Sequence, residues 1–284
     1  MTATLAIDLG GSKILAALVA GAEVIARSRT ETDREGGPEA WLTQIAALSA
    51  PWRGRYSAAG LSVTGRVHDG RWSAMNRKTL AVPEGFPLAA RAREALGLDA
   101  ALANDAQAAA WGEYRHGAGA GRDMVFLTVS TGIGGGVVLN GRLLTGRGGL
   151  AGHVGQMALD GGPVENLASG TWIASAAAAA GHPSDARAVF DAAAVGAPWA
   201  EEIVALSAAR LARLCADLQC LLDPEVIVLG GGVGLAPGFL DRVTAILGQF
   251  PPPVRPTLAR AALGPEAGII GMAALATELK TGSD

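Results

Sequence analysis

Only two cysteines occur in 284 residues. Cys215 and Cys220 stand in a stretch with helical spacing, where they point to different faces, so a disulfide framework is excluded and a reducing, cytoplasmic compartment fits. Basic charge is not in excess either. The formal net charge is −3, and nothing resembles the basic stripe that neutralises nucleic-acid phosphates. Long apolar runs are missing: stretches such as 173–180 are alanine-rich and far shorter than the ~20 residues needed to span a bilayer. The opening Met1-Thr2-Ala3-Thr4 has no basic region ahead of a short apolar stretch that already holds Asp8. These absences predict a soluble protein without membrane or nucleic-acid partners, whose ligands are small molecules or copies of itself. No G-x-x-x-x-G-K-[ST] occurs. The third small residue of a dinucleotide fingerprint is also missing, with Leu235 in its place after Gly230 and Gly232, and Val137 after Gly132 and Gly134.

Half of the residues are hydrophobic, enough for one large α/β domain or two smaller ones. Leu5–Leu9, a turn at Gly10-Gly11-Ser12 and Lys13–Ala20 read as strand, tight turn, strand. The same unit recurs at 124–144, where Val125–Val129 leads into Ser130-Thr131-Gly132-Ile133-Gly134-Gly135-Gly136 and then Val137–Leu144. The recurrence predicts a duplicated α/β architecture with a nucleotide between its halves. Helices are expected over 87–96, 105–115, 168–180, 185–195, 200–222 and 267–279, with short strands at 98–102 and 225–229. The second strand ends in a third glycine turn, Gly230–Gly234, and Pro237 opens a helix. Phe250-Pro251-Pro252-Pro253 is expected to be a non-helical surface connection.

Glycine at a turn lets backbone N–H groups approach phosphate oxygens, since no Cβ intervenes. Taken singly, each turn is explained as a mere hairpin; three of them, with Asp8 and Thr131 beside them, point to a polyphosphate, where a carboxylate holds Mg²⁺ directly or through water. Asn104-Asp105 follows a strand and precedes an alanine-rich helix. It reads either as an N-cap or as a general base with a neighbouring hydroxyl-binding amide, and the two roles are compatible.

The runs Ala6-Ile7-Asp8-Leu9-Gly10-Gly11-Ser12-Lys13, Asn104-Asp105-Ala106-Gln107-Ala108-Ala109-Ala110-Trp111-Gly112-Glu113 and Ser130–Gly136 resemble the ROK sugar kinases in order and spacing. So do Gly149–Gly155, Glu165-Asn166-Leu167-Ala168-Ser169-Gly170, Val226–Gly234 and Ala267–Gly271. The resemblance covers nearly the whole chain. It implies an actin-like ATPase (ribonuclease H-like) fold of two lobes, 1–105 joined by a terminal helix 266–284, and a helix-rich 106–265, with ATP and sugar in the cleft. It implies Asp105 as the base that takes the proton of the sugar hydroxyl attacking the γ-phosphate. Gly65, Arg66, Asn104, His153 and Glu165 would hold the sugar; for Arg66 a solvated surface role is equally open. Asp8, Gly10, Gly11, Ser12, Lys13, Thr131, Gly132, Gly134, Gly231 and Gly232 would hold ATP, with Asp8 also serving Mg²⁺ through water or phosphate. A homodimer is the expected assembly.

Two departures stand out. Many relatives carry a structural zinc on a histidine and a C-x-C-G-x-x-G-C cluster, whereas this chain has Gln156 at the histidine position and Ala158-Leu159-Asp160-Gly161-Gly162-Pro163-Val164 before Glu165. Without those ligands no structural zinc is expected. Instead, Gly161-Gly162-Pro163 is expected to form a tight turn that returns Glu165 toward the site. At position 153, histidine replaces the glutamate of many members and resembles the bacterial N-acetylmannosamine kinases, which implies phosphorylation of N-acetylmannosamine at its 6-hydroxyl, in sialic acid catabolism. A glucokinase or other hexokinase is the alternative, followed by a catalytically silent sugar-binding protein. A DNA-binding repressor of the same family would need an N-terminal helix pair ahead of the first strand, for which Met1–Thr4 leave no room.

Overall fold

The computed structural model describes residues 3–76 and 79–281, so Met1, Thr2, Arg77, Lys78 and the last three residues lie outside it. The chain divides into two compact units: residues 1–116 with 145–151 and 265–284, and residues 117–144 with 152–264. The first unit therefore includes the helix that begins at Asp105, and a short loop, 145–151, that the sequence reading places in the other lobe.

The strands are β1 (Ala3–Leu9), β2 (Lys13–Ala20), β3 (Glu23–Glu31), β4 (Tyr56–Val63), β5 (Arg66–His68), β6 (Arg71–Ser73) and β7 (Ala100–Asn104) in the first unit. The second unit holds β8 (Met124–Val129), β9 (Ile133–Leu139), β10 (Arg142–Leu144), β11 (Ala158–Leu159), β12 (Gly162–Pro163), β13 (Val226–Gly230) and β14 (Leu258–Arg260). The helices are α1 (Gly37–Ser49), α2 (Leu88–Leu96), α3 (Asp105–His116), α4 (Glu165–Ala168), α5 (Gly170–Ala179), α6 (Ala186–Ala194), α7 (Pro198–Leu222), α8 (Gly231–Gly234), α9 (Phe239–Leu247) and α10 (Ala267–Thr281).

The first main sheet has the order β3-β2-β1-β4-β7, and the second β10-β9-β8-β13-β14. In both, an antiparallel three-strand meander continues into two parallel strands. The repeated hairpin in the sequence is thus one part of a repeated five-stranded unit, the duplication that marks the actin-like ATPase fold. β1, β4, β8 and β13 read as near-continuous apolar runs because they lie centrally and are covered on both faces. At the edge, β3 alternates exposed and half-buried residues, with Glu23, Arg27, Arg29 and Glu31 outward.

Packing differs between the units. In the first, Trp41 of α1 meets Trp72 of β6 with ring centroids 5.7 Å apart, over Leu5, Ile7, Leu9 and Leu61. On the sheet's other face lies α10, which comes so near α3 that backbone meets backbone: a Cβ at Gly271 would stand 1.7 Å from the Ala108 carbonyl oxygen. In the second unit the long α7, opened by Pro198 and closed by Asp223 in the left-handed region, buries one stripe against α4, α5, α6 and α9. Cys215 belongs to that stripe, where burial pushes its thiol up to about 12, and Cys220 is exposed.

Several boundaries differ from the sequence reading for local reasons. One helix expected over 168–180 is two, because Ser169 is extended and its hydroxyl accepts the Trp172 N–H as the cap of α5. Gly134, Gly135 and Gly136 lie within β9 and not in a turn; a Cβ at Gly135 would stand 2.7 Å from the Phe126 carbonyl oxygen. The third glycine turn is the one-turn helix α8, and Pro237 precedes α9 by two residues, with Gly238 at the cap. Pro252–Val254 form a 3₁₀ turn inside the proline connection. Among the described residues no helix is long and apolar enough to cross a membrane.

Candidate active site

Asp8 ends the apolar face of β1, one residue before the first turn. On the neighbouring strand Ser62, fully buried, donates to Asp8 Oδ1 at 3.0 Å, leaving Oδ2 for a ligand. Burial raises the Asp8 pKa, against the pull of the Ser62 hydrogen bond and the Lys13 charge. A half-buried carboxylate with one oxygen fixed and the other open fits a hard divalent cation or its waters. No three His, Cys, Asp or Glu side chains cluster as a metal-binding group among the described residues, so a cation here would complete its shell with water and phosphate oxygens. The turn itself is closed by Gly10 N–H to Lys13 O at 3.0 Å and braced by Thr32, whose hydroxyl donates to Gly10 O at 2.8 Å and whose N–H donates to Ser12 O at 3.1 Å. Ser12 and Lys13 are exposed at its tip.

Asn104 is the last residue of β7 and Asp105 the first of α3. The capping role falls to Asn104, whose Oδ1 accepts the N–H groups of Ala106 and Gln107 at 2.9 and 3.3 Å. Its amide donates to Gly65 O at 2.9 Å and also reaches the adjacent Asp105 carboxylate. Asp105 is thereby free of the structural duty that a short reading of Asn104-Asp105 gives it. Its carboxylate accepts the neighbouring Ala106 N–H at 2.8 Å, lies beside the Asn104 side chain, which also hydrogen-bonds it, and is exposed to solvent. Desolvation by the protein packed around it, then the Asp8 charge, raise its pKa to about 6. The exposed edge keeps proton exchange open, while the dense surroundings set the direction of the shift.

A carboxylate with that pKa is suited to accept a proton near neutral pH. With Asp105 as the base the acting form would be the ionised one, so sugar-limited kcat/KM is expected to rise through about pH 6 and level off above it. A flat profile from about pH 5 to 8 would remove Asp105 from that role.

Arg66 is committed to the protein, donating to Glu84 Oε1 at 2.7 Å and to Gly148 O at 3.2 Å. Gln107 fastens the same loop, 145–151, through Ala151 O at 2.8 Å. Gly65 has φ +100, and a Cβ would stand 2.6 Å from the Ser73 carbonyl oxygen, so this glycine is required by the backbone.

In the second unit the turn Ser130–Gly132 joins β8 to β9 and is closed by Ser130 N–H to Gly132 O at 2.9 Å. The start of α5 holds it from behind: Gly170 N–H donates to Ser130 O at 2.7 Å, and the Thr171 hydroxyl and N–H donate to Thr131 O at 2.8 and 3.1 Å. Glu165, first in α4, accepts the Ile133 N–H at 3.0 Å through Oε2, leaving Oε1 open. Gly132 makes room for that carboxylate, since a Cβ there would lie 2.4 Å from Oε2. The structure thus brings Thr131, Gly132 and Glu165 together. His153, half-buried, precedes the 3₁₀ turn Val154–Gln156. Gly231 sits against the same hairpin, where a Cβ would be 2.4 Å from Val129 O, and Gly232 is exposed beside it. An open concavity of about 800 Å³ along Ala20, Ala22–Arg27 and Glu266 of the first unit contains none of these residues.

Thr32, Ser62 and Thr171 brace the turns and Asp8 but are not singled out by the sequence. Each acts on a partner 22 to 54 positions away, and a lone hydroxyl in a strand or helix carries no local signal of that.

The model of the ROK family matches residues 4–279. This chain belongs to the ROK family. The bifunctional enzyme NanE/NanK of Brucella melitensis is 53% identical over 277 residues, which are 96% of this chain but 53% of that protein; the chain spans about half the length of that relative. An N-acetylmannosamine kinase of Escherichia coli is 42% identical over 285 residues, 96% of this ROK chain and 98% of that protein. Among solved structures, the ROK hexokinase from Thermus thermophilus matches with TM-score 0.84 at 34% identity, covering 99% of this chain and all of its own. A ROK glucokinase from Streptomyces griseus, in complex with glucose and AMPPNP, matches with TM-score 0.82 at 28% identity over 97% and 99%.

Proposed function

We propose that this ROK protein transfers the γ-phosphoryl group of ATP to the 6-hydroxyl of N-acetylmannosamine, giving the 6-phosphate and ADP. The observation that carries this reading is Asp105, a carboxylate relieved of capping by Asn104, with its pKa lifted to about 6 beside Asp8. Full-length similarity to an N-acetylmannosamine kinase supports the choice of sugar.

Asp105 accepts the hydroxyl proton as the oxygen attacks phosphorus, and Asn104, beside it, orients the adjacent hydroxyl. Glu165 Oε1 accepts from a second sugar hydroxyl, and the half-buried His153 imidazole pairs with the acetamido group. Gly65 and Arg66 shape the first unit's sugar-side loop, in which Arg66 holds the backbone. The turns that carry Gly10, Gly11, Ser12 and Lys13, and Thr131 and Gly132, with Gly231 and Gly232 beside the second, are suited to phosphate and ribose oxygens of ATP, while Gly134, inside β9, keeps the strand free of side-chain bulk behind the turn. Asp8 would hold Mg²⁺, whose contribution is to neutralise charge on the phosphates. The same reading places the protein in the cytoplasm as a homodimer.

The test is ADP release with ATP and Mg²⁺ against N-acetylmannosamine, N-acetylglucosamine, glucose and mannose. Expected is a kcat/KM for N-acetylmannosamine at least about tenfold above the others, the discrimination expected where a polar substituent is hydrogen-bonded by the site. The hexokinase and glucokinase likeness makes glucose the informative competitor. Preference for glucose would replace the proposed substrate, and sugar binding without turnover would leave a silent sensor.

A further inference from the structure

Glu165 has to be held within hydrogen-bond tolerance of Ile133, yet the segment that carries it is slight. It consists of the two-residue strands β11 and β12 and the single turn α4. The hairpin tip is Asp160-Gly161, with φ of 47° and 88°, the pair of left-handed residues that a primed two-residue turn needs. The turn expected at Gly161-Gly162-Pro163 is thus one position earlier. Within the segment, Val164 N–H donates to Met157 O at 2.9 Å and Leu167 N–H to Val164 O at 3.0 Å.

Val164 and Ala168 are buried in the core of the second unit, and polar support comes from one helix. Ser207 of α7, fully buried, donates to Ala168 O at 2.8 Å. One turn further along, Arg210 meets three successive pieces of the segment and its continuation. Its Nη1 donates to Leu167 O at 2.6 Å, its guanidinium carbon stands 4.7 Å from the centroid of the Trp172 ring, and its Nε lies 3.8 Å from Asp160 Oδ2. The side chain is only 17% exposed, so the charge is largely withdrawn from water. At 3.8 Å the contact with Asp160 is an ion pair and not a hydrogen bond, and Nε is buried without a hydrogen-bond partner among the described residues. A planar guanidinium can serve a carbonyl in its plane and a ring on its face at once, which an ammonium cannot.

We propose that Arg210 is the positioning residue for Glu165. It ties the hairpin tip, the end of α4 and the start of α5 to α7, in the stretch where family resemblance implies a metal cluster in many relatives. Its kinetic consequence rests on the reading of Glu165 as a sugar ligand; its structural consequence does not.

Amide hydrogen exchange of the full chain, with R210M and R210K compared to wild type, tests the clamp. A hydrogen bond to a charged group corresponds to about ten- to a hundredfold in a local opening equilibrium. R210M is therefore expected to speed exchange at residues 164–168 by about tenfold or more while strands β8 and β13 keep their protection. R210K, which restores the charge but not the plane, is expected to fall between. In kinetics, KM for N-acetylmannosamine is expected to rise about tenfold in R210M with KM for ATP within about twofold. Unchanged exchange at 164–168, or a uniform loss across the second unit, would overturn the proposal, as would equal rises in both KM values. Should wild type not phosphorylate N-acetylmannosamine, the functional reading fails and the exchange arm still decides the clamp. If R210M does not fold, D160N keeps a residue tolerant of positive φ and removes only the ion pair. It is then expected to loosen 157–163 about threefold, and no change there would count against the clamp.

Discussion

Asp105→Asn is expected to lower kcat by about a hundredfold to ten-thousandfold while the sugar dissociation constant stays within about threefold. Asparagine is the same size and can still accept the Ala106 N–H, so the first turn of α3 survives, and Asn104 continues to cap it. What disappears is the proton acceptor. Folding stability is expected to be unchanged or slightly higher at neutral pH, and the sign follows from the direction of the pKa shift. A carboxyl raised from 3.8 to about 6 is harder to ionise in the folded chain than in the unfolded one, so its charge opposes folding above that value. A neutral isostere removes this penalty. Rapid-quench or coupled turnover assays, calorimetric sugar binding and a thermal melt of the same variant separate the three quantities. Turnover within about tenfold of wild type would sink the assignment of the base.

The second large effect is on stability. Gly271→Ala places a methyl group 1.7 Å from the Ala108 carbonyl oxygen and 2.7 Å from the Gly112 nitrogen, both backbone atoms that cannot rotate away. On the facing helix, a Cβ at Gly112 would lie 2.3 Å from Ala267 O. The glycines exist to let α3 and α10 touch main chain to main chain. Overpacking usually costs about 1–3 kcal/mol, and a site walled by backbone belongs at the upper end. A drop of about 5–10 °C in the thermal midpoint is expected. Loss of activity should accompany it, since Asp105 heads the helix being displaced. Gly162→Ala is the control: nothing lies within 4 Å of its Cβ position, and its φ is ordinary. It is expected to leave the midpoint within about 1–2 °C.

The hairpins, their glycine turns and the strand-to-helix junction at 104–105 are legible in the sequence because short apolar runs bounded by turn residues are local signals. The chain's repetition of a five-stranded unit could be inferred from its two hairpins, but the strand order could not. The pairing of β1 with β4 and of β8 with β13 joins segments far apart in sequence. What glycine does at each position was least legible. Gly132 clears space for Glu165, Gly135 for a neighbouring strand, and Gly271 for a helix, three uses that look identical as letters. Nor does the sequence tell which of two adjacent polar residues caps α3: Asn and Asp are equally good caps, and only the contact of Asn104 with Gly65 fixes the choice.

The order in which the chain is made adds a consequence to its division into units. Residues 117–264 hold the whole second unit, interrupted by the loop 145–151 of the first, whereas the first unit is incomplete until α10 exists. During translation, at about 5–20 residues per second, α10 follows α3 by about 8–30 s. Throughout that interval the apolar face of β1 and β4 that α10 covers stands open on the ribosome, so the half that is begun first is finished last.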